Sequence, residues 1–287
     1  MEFTIVGLGR MGSSLARALV QAGVSVNGFD TLPSVREHAH RLGVKVFDQL
    51  AEAAARSDVV VTSLPTVAAV REVVLELGRL LPAGACVIET STCAPAFAQE
   101  ATASLGQRGV RFVDCPVSGK PPAMTMLVGG APGALGDAEN VLSAAAGTIV
   151  HLGTSGAGYG AKLLQQYIKY ARFLVAAEAL TFAAHQGLDV PETIRALAAS
   201  TGARSGLATA EEYFLDDAEA IASHAPVATI AKDMELTRGM FRDAGFDSPS
   251  FAALAEFFLA ANTSAVSDRP YPEVIELLSG FRFVEGD

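Results

Sequence analysis

Six residues, Gly7-Leu8-Gly9-Arg10-Met11-Gly12, follow directly on an apolar run that begins at the third residue of the chain. Phe3, Ile5 and Val6 predict a short buried strand and Ser13 to Val20 the start of a helix, so the glycines fall at a strand-to-helix turn. A first glycine permits the tight turn, a second lets a ligand's phosphates approach the backbone, and a third lets helix and strand pack closely. The helix N-terminus then presents unpaired N–H groups and the positive end of its dipole to an anion. The helix is expected to end at Gly23, and a second strand, Val24 to Phe29, ends in Asp30. An acid about 20 residues beyond the glycines is placed to accept the adenosine ribose hydroxyls of a dinucleotide. Its charge would repel a 2′-phosphate. Thr31-Leu32-Pro33-Ser34 supplies no base, and Arg36 is the nearest. NAD rather than NADP is therefore the expected cofactor, with Gly7, Leu8, Gly9, Arg10, Met11, Gly12 and Asp30 as its contacts. The same residues would also make an ordinary βα turn, with Asp30 merely ending a strand.

The first half of the chain alternates strands with helices. Val44 to Phe47 is a short strand and Gln49 to Arg56 a helix. Asp58 to Leu64 is a continuous apolar strand stopped by Pro65, and Val67 to Leu81 a helix stopped by Pro82. Cys86 to Glu89, Pro95 to Leu105 and Val110 to Val113 continue as strand, helix and strand, with Leu127 to Gly130 and Thr148 to Val150 completing this half. Near-continuous apolar strands between helices predict a parallel sheet covered on both faces.

After Gly153 the pattern changes. Gly156-Ala157-Gly158 reads as a flexible joint, and from about Tyr159 to Gln186 only Gly160 interrupts a helix that Gly187 is placed to end. Beyond it Pro191 to Ala199, Ala228 to Ala244 and Pro249 to Ala261 predict alanine-rich helices. The expected fold class is α/β: a Rossmann-type doubly wound parallel sheet over residues 1–157, then an all-helical domain over 158–287, joined by the long helix.

Composition narrows the function classes. Thirty-one acids against 21 bases give a charge of −10, and no basic stripe is apparent, so nucleic acid is not an expected partner. Cys86, Cys93 and Cys115 form no even framework and have no metal-ligand spacing, which fits reduced thiols in a cytoplasmic protein without a metal. The N-terminus lacks a basic region followed by a long apolar stretch, and apolar runs elsewhere are too short or too interrupted for a membrane span.

In an open parallel sheet ligands bind outside the carboxyl ends of the strands. Leu64-Pro65, Ser91-Thr92 and Ser118-Gly119 occupy such ends. Each alone is also ordinary turn chemistry; together they would line one rim. Lys162 lies in the first turns of the long helix, with Gln165 and Gln166 at i+3 and i+4 on the same face. Oxidation of a hydroxyl needs a group that takes its proton while hydride leaves the carbon. Lysine does so only if its pKa falls from about 10.4, and a helix N-terminus, burial or a second cation would each lower it. Lys232, beside Asp233, is a candidate for that cation. Spacing alone favours a solvated lysine on an amphipathic helix.

These motifs, in this order, resemble the β-hydroxyacid dehydrogenases, and the resemblance covers nearly the whole chain. Gly7 to Gly12 is similar to the family's cofactor turn, Asp114-Cys115-Pro116-Val117-Ser118-Gly119 to its substrate segment, Gly156 to Lys162 to the segment carrying a catalytic lysine, and Lys232-Asp233 to a paired motif near the nicotinamide. The resemblance implies that Lys162 is the general acid/base and that Ser118 and Gly119 hold a substrate carboxylate. It implies that Leu64, Pro65 and Thr92 border the ribose and nicotinamide, and that Asp233 positions Lys232 against the cofactor. A homodimer or homotetramer is the family expectation. The chain departs from the pattern in two places. Lys120 stands where the family has a second glycine, in a shortened Lys120-Pro121-Pro122-Ala123-Met124 segment, and Gln165-Gln166 replace two asparagines. Lys120 and Lys169, the latter two turns along from Lys162, are read as reaching toward a second anionic group on a small anionic substrate; both also read as solvated surface lysines. The implied activity is hydride transfer between NAD and a small 3-hydroxy acid or its semialdehyde. Imine reduction on the same fold and a catalytically silent NAD-binding sensor or scaffold are the alternatives.

Overall fold

The structure is a computed structural model that describes every residue except Arg56, Ala131, residues 201–203 and residues 280–287. Arg56, the expected end of one helix, thus lies outside the described residues. The chain divides into two compact units, Met1–Lys162 and Leu163–Asp287.

In the first unit β1 (Phe3–Val6), α1 (Arg10–Gln21), β2 (Val26–Phe29), α2 (Pro33–Arg41), β3 (Lys45–Val46), α3 (Leu50–Ala54), β4 (Val59–Thr62), α4 (Val67–Leu80), β5 (Cys86–Glu89), α5 (Pro95–Gly106) and β6 (Arg111–Asp114) follow in turn. All six strands are parallel, in the order β3-β2-β1-β4-β5-β6. The order reverses between β1 and β4, where such sheets open a crevice at the carboxyl ends. Side chains alternate across the sheet. Phe3, Ile5, Val59, Val61, Cys86, Ile88 and Val113 pack under Leu15 and Leu19 of α1 and Ala39 of α2. Val6, Val60, Val87 and Phe112 pack under α4 and α5 through Val70, Val74, Leu77, Phe97 and Leu105. Both faces are apolar, which is why these strands read as continuous hydrophobic runs.

The remaining strands of this half stand apart from the parallel sheet. β7 (Val117–Ser118), β8 (Met124–Val128) and β9 (Ala146–His151) form a separate three-stranded sheet rather than completing the parallel one, with β7 antiparallel to β8 and α6 (Ala138–Leu142) before β9. β8 alternates: Met124, Met126 and Val128 are buried, Thr125 and Leu127 half-buried. A strand covered on one face cannot sit inside a doubly covered sheet.

α7 (Ala157–His185) is 29 residues long, about 43 Å at 1.5 Å per residue. It ends at Gly187, whose φ of +72° suits glycine, with Leu188 N–H donating to Ala183 O at 3.1 Å. The division into units falls after Lys162, so the first unit keeps the opening of this helix. The second unit adds α8 (Val190–Ala199), α9 (Arg204–Phe214), α10 (Ala218–Ala222), α11 (Val227–Asp243), α12 (Pro249–Ala261), a 3-10 turn at Tyr271–Val274 and α13 (Ile275–Ser279). Asp189 and Ser248 cap α8 and α12 by accepting from Glu192 N and Phe251 N, with Pro191 and Pro249 in the first turns. α9 and α10 went unread because Gly206 and the acidic stretch around Asp216 interrupt the helical pattern. The core here is aromatic: Tyr170 and Phe173 pack edge-on against Tyr271 at 5.1 and 4.9 Å between ring centroids. Among the described residues no helix is long and apolar enough to cross a membrane.

Candidate functional site

The three glycines after β1 take three different roles. Gly7 has φ +87°, and a Cβ there would overlap the Ser63 carbonyl oxygen beyond β4. Gly12 lies against the Gly7 carbonyl oxygen, which a Cβ would also overlap, so α1 seats on the turn only without a side chain. Gly9, the N-cap of α1, has φ −64° and ψ −165°, no side-chain cap, and nothing within 4 Å of where a Cβ would stand. The first and third glycines are thus required by the chain itself. The second leaves space at a helix N-terminus, which is what a dinucleotide pyrophosphate needs.

Asp30 tightens this turn. Its carboxylate accepts from Leu8 N at 2.8 Å and from Leu32 N at 2.9 Å. Carboxylate oxygens take about two hydrogen bonds each, so room remains for ribose hydroxyls. Arg36, the nearest base, is spent elsewhere. Its guanidinium donates to Asp30 O at 2.7 Å and to Asp48 Oδ1 at 3.0 Å, behind the loop.

The other carboxyl-end residues are tied to this edge. Leu64 N donates to Ser91 Oγ at 2.8 Å, joining the loops after β4 and β5. Pro65 is exposed and Thr92 half-buried. Ser118 pairs with Thr125 in the small sheet, and Gly119 turns the chain at φ +80°. Lys120 faces a cavity along α1 that it shares with Arg10 and Met11.

Lys162 is buried in the second turn of α7. The sequence read Gly156 to Gly158 as a flexible joint; the structure makes it a socket. A Cβ on Gly158 would overlap Leu127 O and lie 2.7 Å from Asp114 O. Beneath the helix start sits the Asp114 carboxylate, fully buried, accepting from Gly156 N at 2.9 Å and Tyr159 N at 3.0 Å. Burial pushes this carboxyl above the usual carboxylate range, and those two N–H groups pull it part of the way back. Glu89, equally buried at the end of β5, accepts from the Tyr159 hydroxyl at 2.6 Å and from Ser91 N at 2.9 Å. Burial, and then the Glu89 charge, push the Tyr159 phenol well above its ordinary value, so it stays a donor. Asp114, Glu89 and Tyr159 therefore fix the helix turn that carries Lys162. Sequence reasoning gave none of the three this role, although Asp114 opens the segment likened to the substrate segment. The available signal was an acid ending each of two apolar strands, where a buried charge needs a partner.

Within the second unit Gln166, Lys232 and Asp233 come together. Gln166 Nε2 donates to Asp233 Oδ2 at 2.7 Å and to the Tyr170 hydroxyl at 3.2 Å. The Lys232 ammonium lies 3.2 Å from Asp233 Oδ1, an ion pair without hydrogen-bond alignment. Both Gln166 donors are thus spent on this group rather than left for a substrate. Gln165 is half-buried. The Lys169 ammonium sits over the Tyr170 and Tyr271 rings, 5.2 and 5.3 Å from their centroids. No group of three or more His, Cys, Asp or Glu among the described residues is arranged to hold a metal.

Residues 2–153 match the family model described as the NAD binding domain of 6-phosphogluconate dehydrogenase. Residues 156–278 match that described as NAD-binding of NADP-dependent 3-hydroxyisobutyrate dehydrogenase. A probable 3-hydroxyisobutyrate dehydrogenase from Mycobacterium bovis is 34% identical over 202 residues, covering 69% of each chain. An L-threonate dehydrogenase from Cupriavidus necator is 27% identical over 288 residues, 96% of this chain and 95% of the relative. The solved 3-hydroxyisobutyrate dehydrogenase of Mycobacterium tuberculosis with L-serine matches at a TM-score of 0.83 and 27% identity, covering 97% of this chain and 99% of that one.

Proposed function

The chain belongs to the β-hydroxyacid dehydrogenases, which are NAD(P)-dependent oxidoreductases, and from that premise we propose that it moves a hydride between NAD and a small 3-hydroxy acid or its semialdehyde. The observation that carries the reading is the buried Lys162 on a helix turn held from below by Asp114, Glu89 and Tyr159. A lysine on a surface helix needs no such mounting.

The open space at Gly9 and the helix N-terminus behind it fit a dinucleotide. Gly7 to Gly12 hold its phosphates, Asp30 its ribose, and Leu64, Pro65 and Thr92 the edge of the crevice. Asp30 favours NAD over NADP, because a 2′-phosphate would meet a carboxylate there while Arg36 is turned to carbonyls and Asp48. Bound NAD supplies the hydride acceptor. Ser118 and the Gly119 N–H hold the substrate carboxylate, so that the hydroxyl rather than the acid is presented for reaction. Lys162 Nζ takes the hydroxyl proton in oxidation and returns it in reduction, a general acid/base step worth about 10² to 10⁴ in rate. Lys232, set by Asp233, takes the cofactor contact that its motif implies. α7 exposes Leu164, Ile168, Val175 and Phe182 along its length. A second copy of the chain is the proposed cover of that apolar stripe.

The test is a screen of 3-hydroxyisobutyrate, L-threonate and L-serine with NAD+ and NADP+, following reduced nicotinamide. Turnover of at least one acid, with higher kcat/KM on NAD+, is the expected result. Tight NAD+ binding with no turnover on the whole panel would instead favour a binding-only protein.

A further inference from the structure

A cavity of about 280 Å³ runs along α1 and α2 in the first unit. Arg10, Ser14 and Arg17 line it from α1, His38 from α2, and Lys120 from the turn between β7 and β8. Arg10, Ser14 and Arg17 are spaced i, i+4, i+7 and so share one helix face. No carboxylate lines the cavity, and neither Arg17 nor Lys120 forms an ion pair among the described residues. In a chain with a net charge of −10, three basic side chains thus line one hollow with a histidine and two serine hydroxyls. Cations held together repel one another, and a bound anion relieves that repulsion.

The cofactor turn borders this hollow at Arg10 and Met11, and Arg17, His38 and Lys120 lie outside that turn. The dinucleotide's pyrophosphate belongs to the backbone N–H groups of the glycine turn, and its ribose to Asp30. Arg17 lies two turns along α1 from Arg10, about 10 Å away, on the outer side of the helix. The size, near the lower end of small-ligand pockets at about 300 Å³, suits a small molecule. Two guanidinium groups offer paired donors that match a phosphate's oxygens, and an ammonium adds a third positive charge. Lys120 follows Ser118 and Gly119 directly, so a ligand seated here lies next to the proposed substrate segment.

We propose that the Arg10–Arg17–Lys120 cavity binds a phosphate-type dianion in addition to NAD. The ligand is a small phosphorylated molecule distinct from the cofactor. Binding needs neither Lys162 nor turnover, so it is measured independently of the proposed reaction.

The experiment is a phosphorus NMR titration of inorganic phosphate into the full chain saturated with NAD+. One saturable site is expected in wild type. Arg17→Ala and Lys120→Ala should each weaken it about tenfold, the effect of losing one charge-assisted bond, and added salt should weaken it further. Both side chains are exposed, and melting curves check that the variants fold. Saturation with NADP+ in place of NAD+ is the control for the cofactor's own phosphate. Phosphate binding should then persist; its loss would give the cavity to the cofactor's 2′-phosphate and overturn the proposal. Equal binding by wild type and the double variant, or no binding once NAD+ is loaded, would overturn the proposal.

Discussion

Replacing Gly9 and Gly12 in turn with alanine separates what the glycine turn does for the fold from what it does for a ligand. At Gly9 the backbone is already in a region open to any residue, and an added methyl meets nothing within 4 Å. Alanine restricts the unfolded chain, worth about 0.4–1 kcal/mol in favour of folding, and is a poorer N-cap by a few tenths to about 1 kcal/mol. These offset, leaving stability within about 0.5 kcal/mol and a melting shift of about 2 °C at most. The same methyl occupies the approach of the cofactor phosphates, so the NAD+ Kd should rise at least about tenfold, or 1.4 kcal/mol. At Gly12 the methyl overlaps the Gly7 carbonyl oxygen, a backbone atom that cannot swing aside. Overpacking of that kind costs about 3 kcal/mol, or roughly 6–12 °C. Scanning calorimetry and NADH fluorescence titration read the two quantities separately. Wild-type NAD+ affinity in Gly9→Ala would refute the assignment of that space to phosphates. An unshifted melting point in Gly12→Ala would refute the packing argument.

Three further outcomes follow from buried groups and the exposed helix stripe. The folded protein holds the Asp114 proton more tightly than the unfolded chain does, so ionising it costs stability. Wild type should therefore lose stability as pH rises from about 4 through the raised value, while Asp114→Asn lacks that component; parallel melting-temperature curves against pH would contradict it. Burial pushes the Cys86 thiol up to about 11 and Cys115 higher still, the latter helped by the Asp114 and Glu89 charges. Iodoacetamide at about pH 8 should leave both unmodified in the folded protein and label them in denaturant, because only the thiolate reacts; labelling of the folded protein, read by mass spectrometry, would count against it. Ile168→Glu, at a site 54% exposed, should lower the oligomeric state in light scattering while leaving the far-ultraviolet spectrum intact; an unchanged mass would remove the α7 stripe as the contact between copies.

Much of the first unit was legible because its strands are covered on both faces. Val59 to Val61 and Cys86 to Ile88 are apolar throughout, and their flanking prolines and glycines mark the ends. The glycine turn was legible because Gly7 and Gly12 each answer a steric demand of the chain and Gly9 leaves space between them. Asp114, Glu89 and Tyr159 were not, since their partners lie 42, 70 and 45 residues away along the chain and no local period encodes such pairings. The small sheet was not legible for a related reason: two-residue β7 and half-covered β8 carry too little pattern to say which sheet they join. Lys120 was seen as unusual, but its companions Arg10 and Arg17 were absorbed into the cofactor turn and its helix. Only the folded chain shows that the three line one cavity.

The central claim is that Lys162 moves the substrate proton on a cofactor-bound enzyme. Its most direct test is the comparison of wild type with Lys162→Ala, measuring kcat and NAD+ affinity on the same hydroxy acid. The account predicts a fall in kcat of about 10² to 10⁴ with NAD+ affinity preserved, since the glycine turn and Asp30 are untouched. Turnover by Lys162→Ala at the wild-type rate would contradict it.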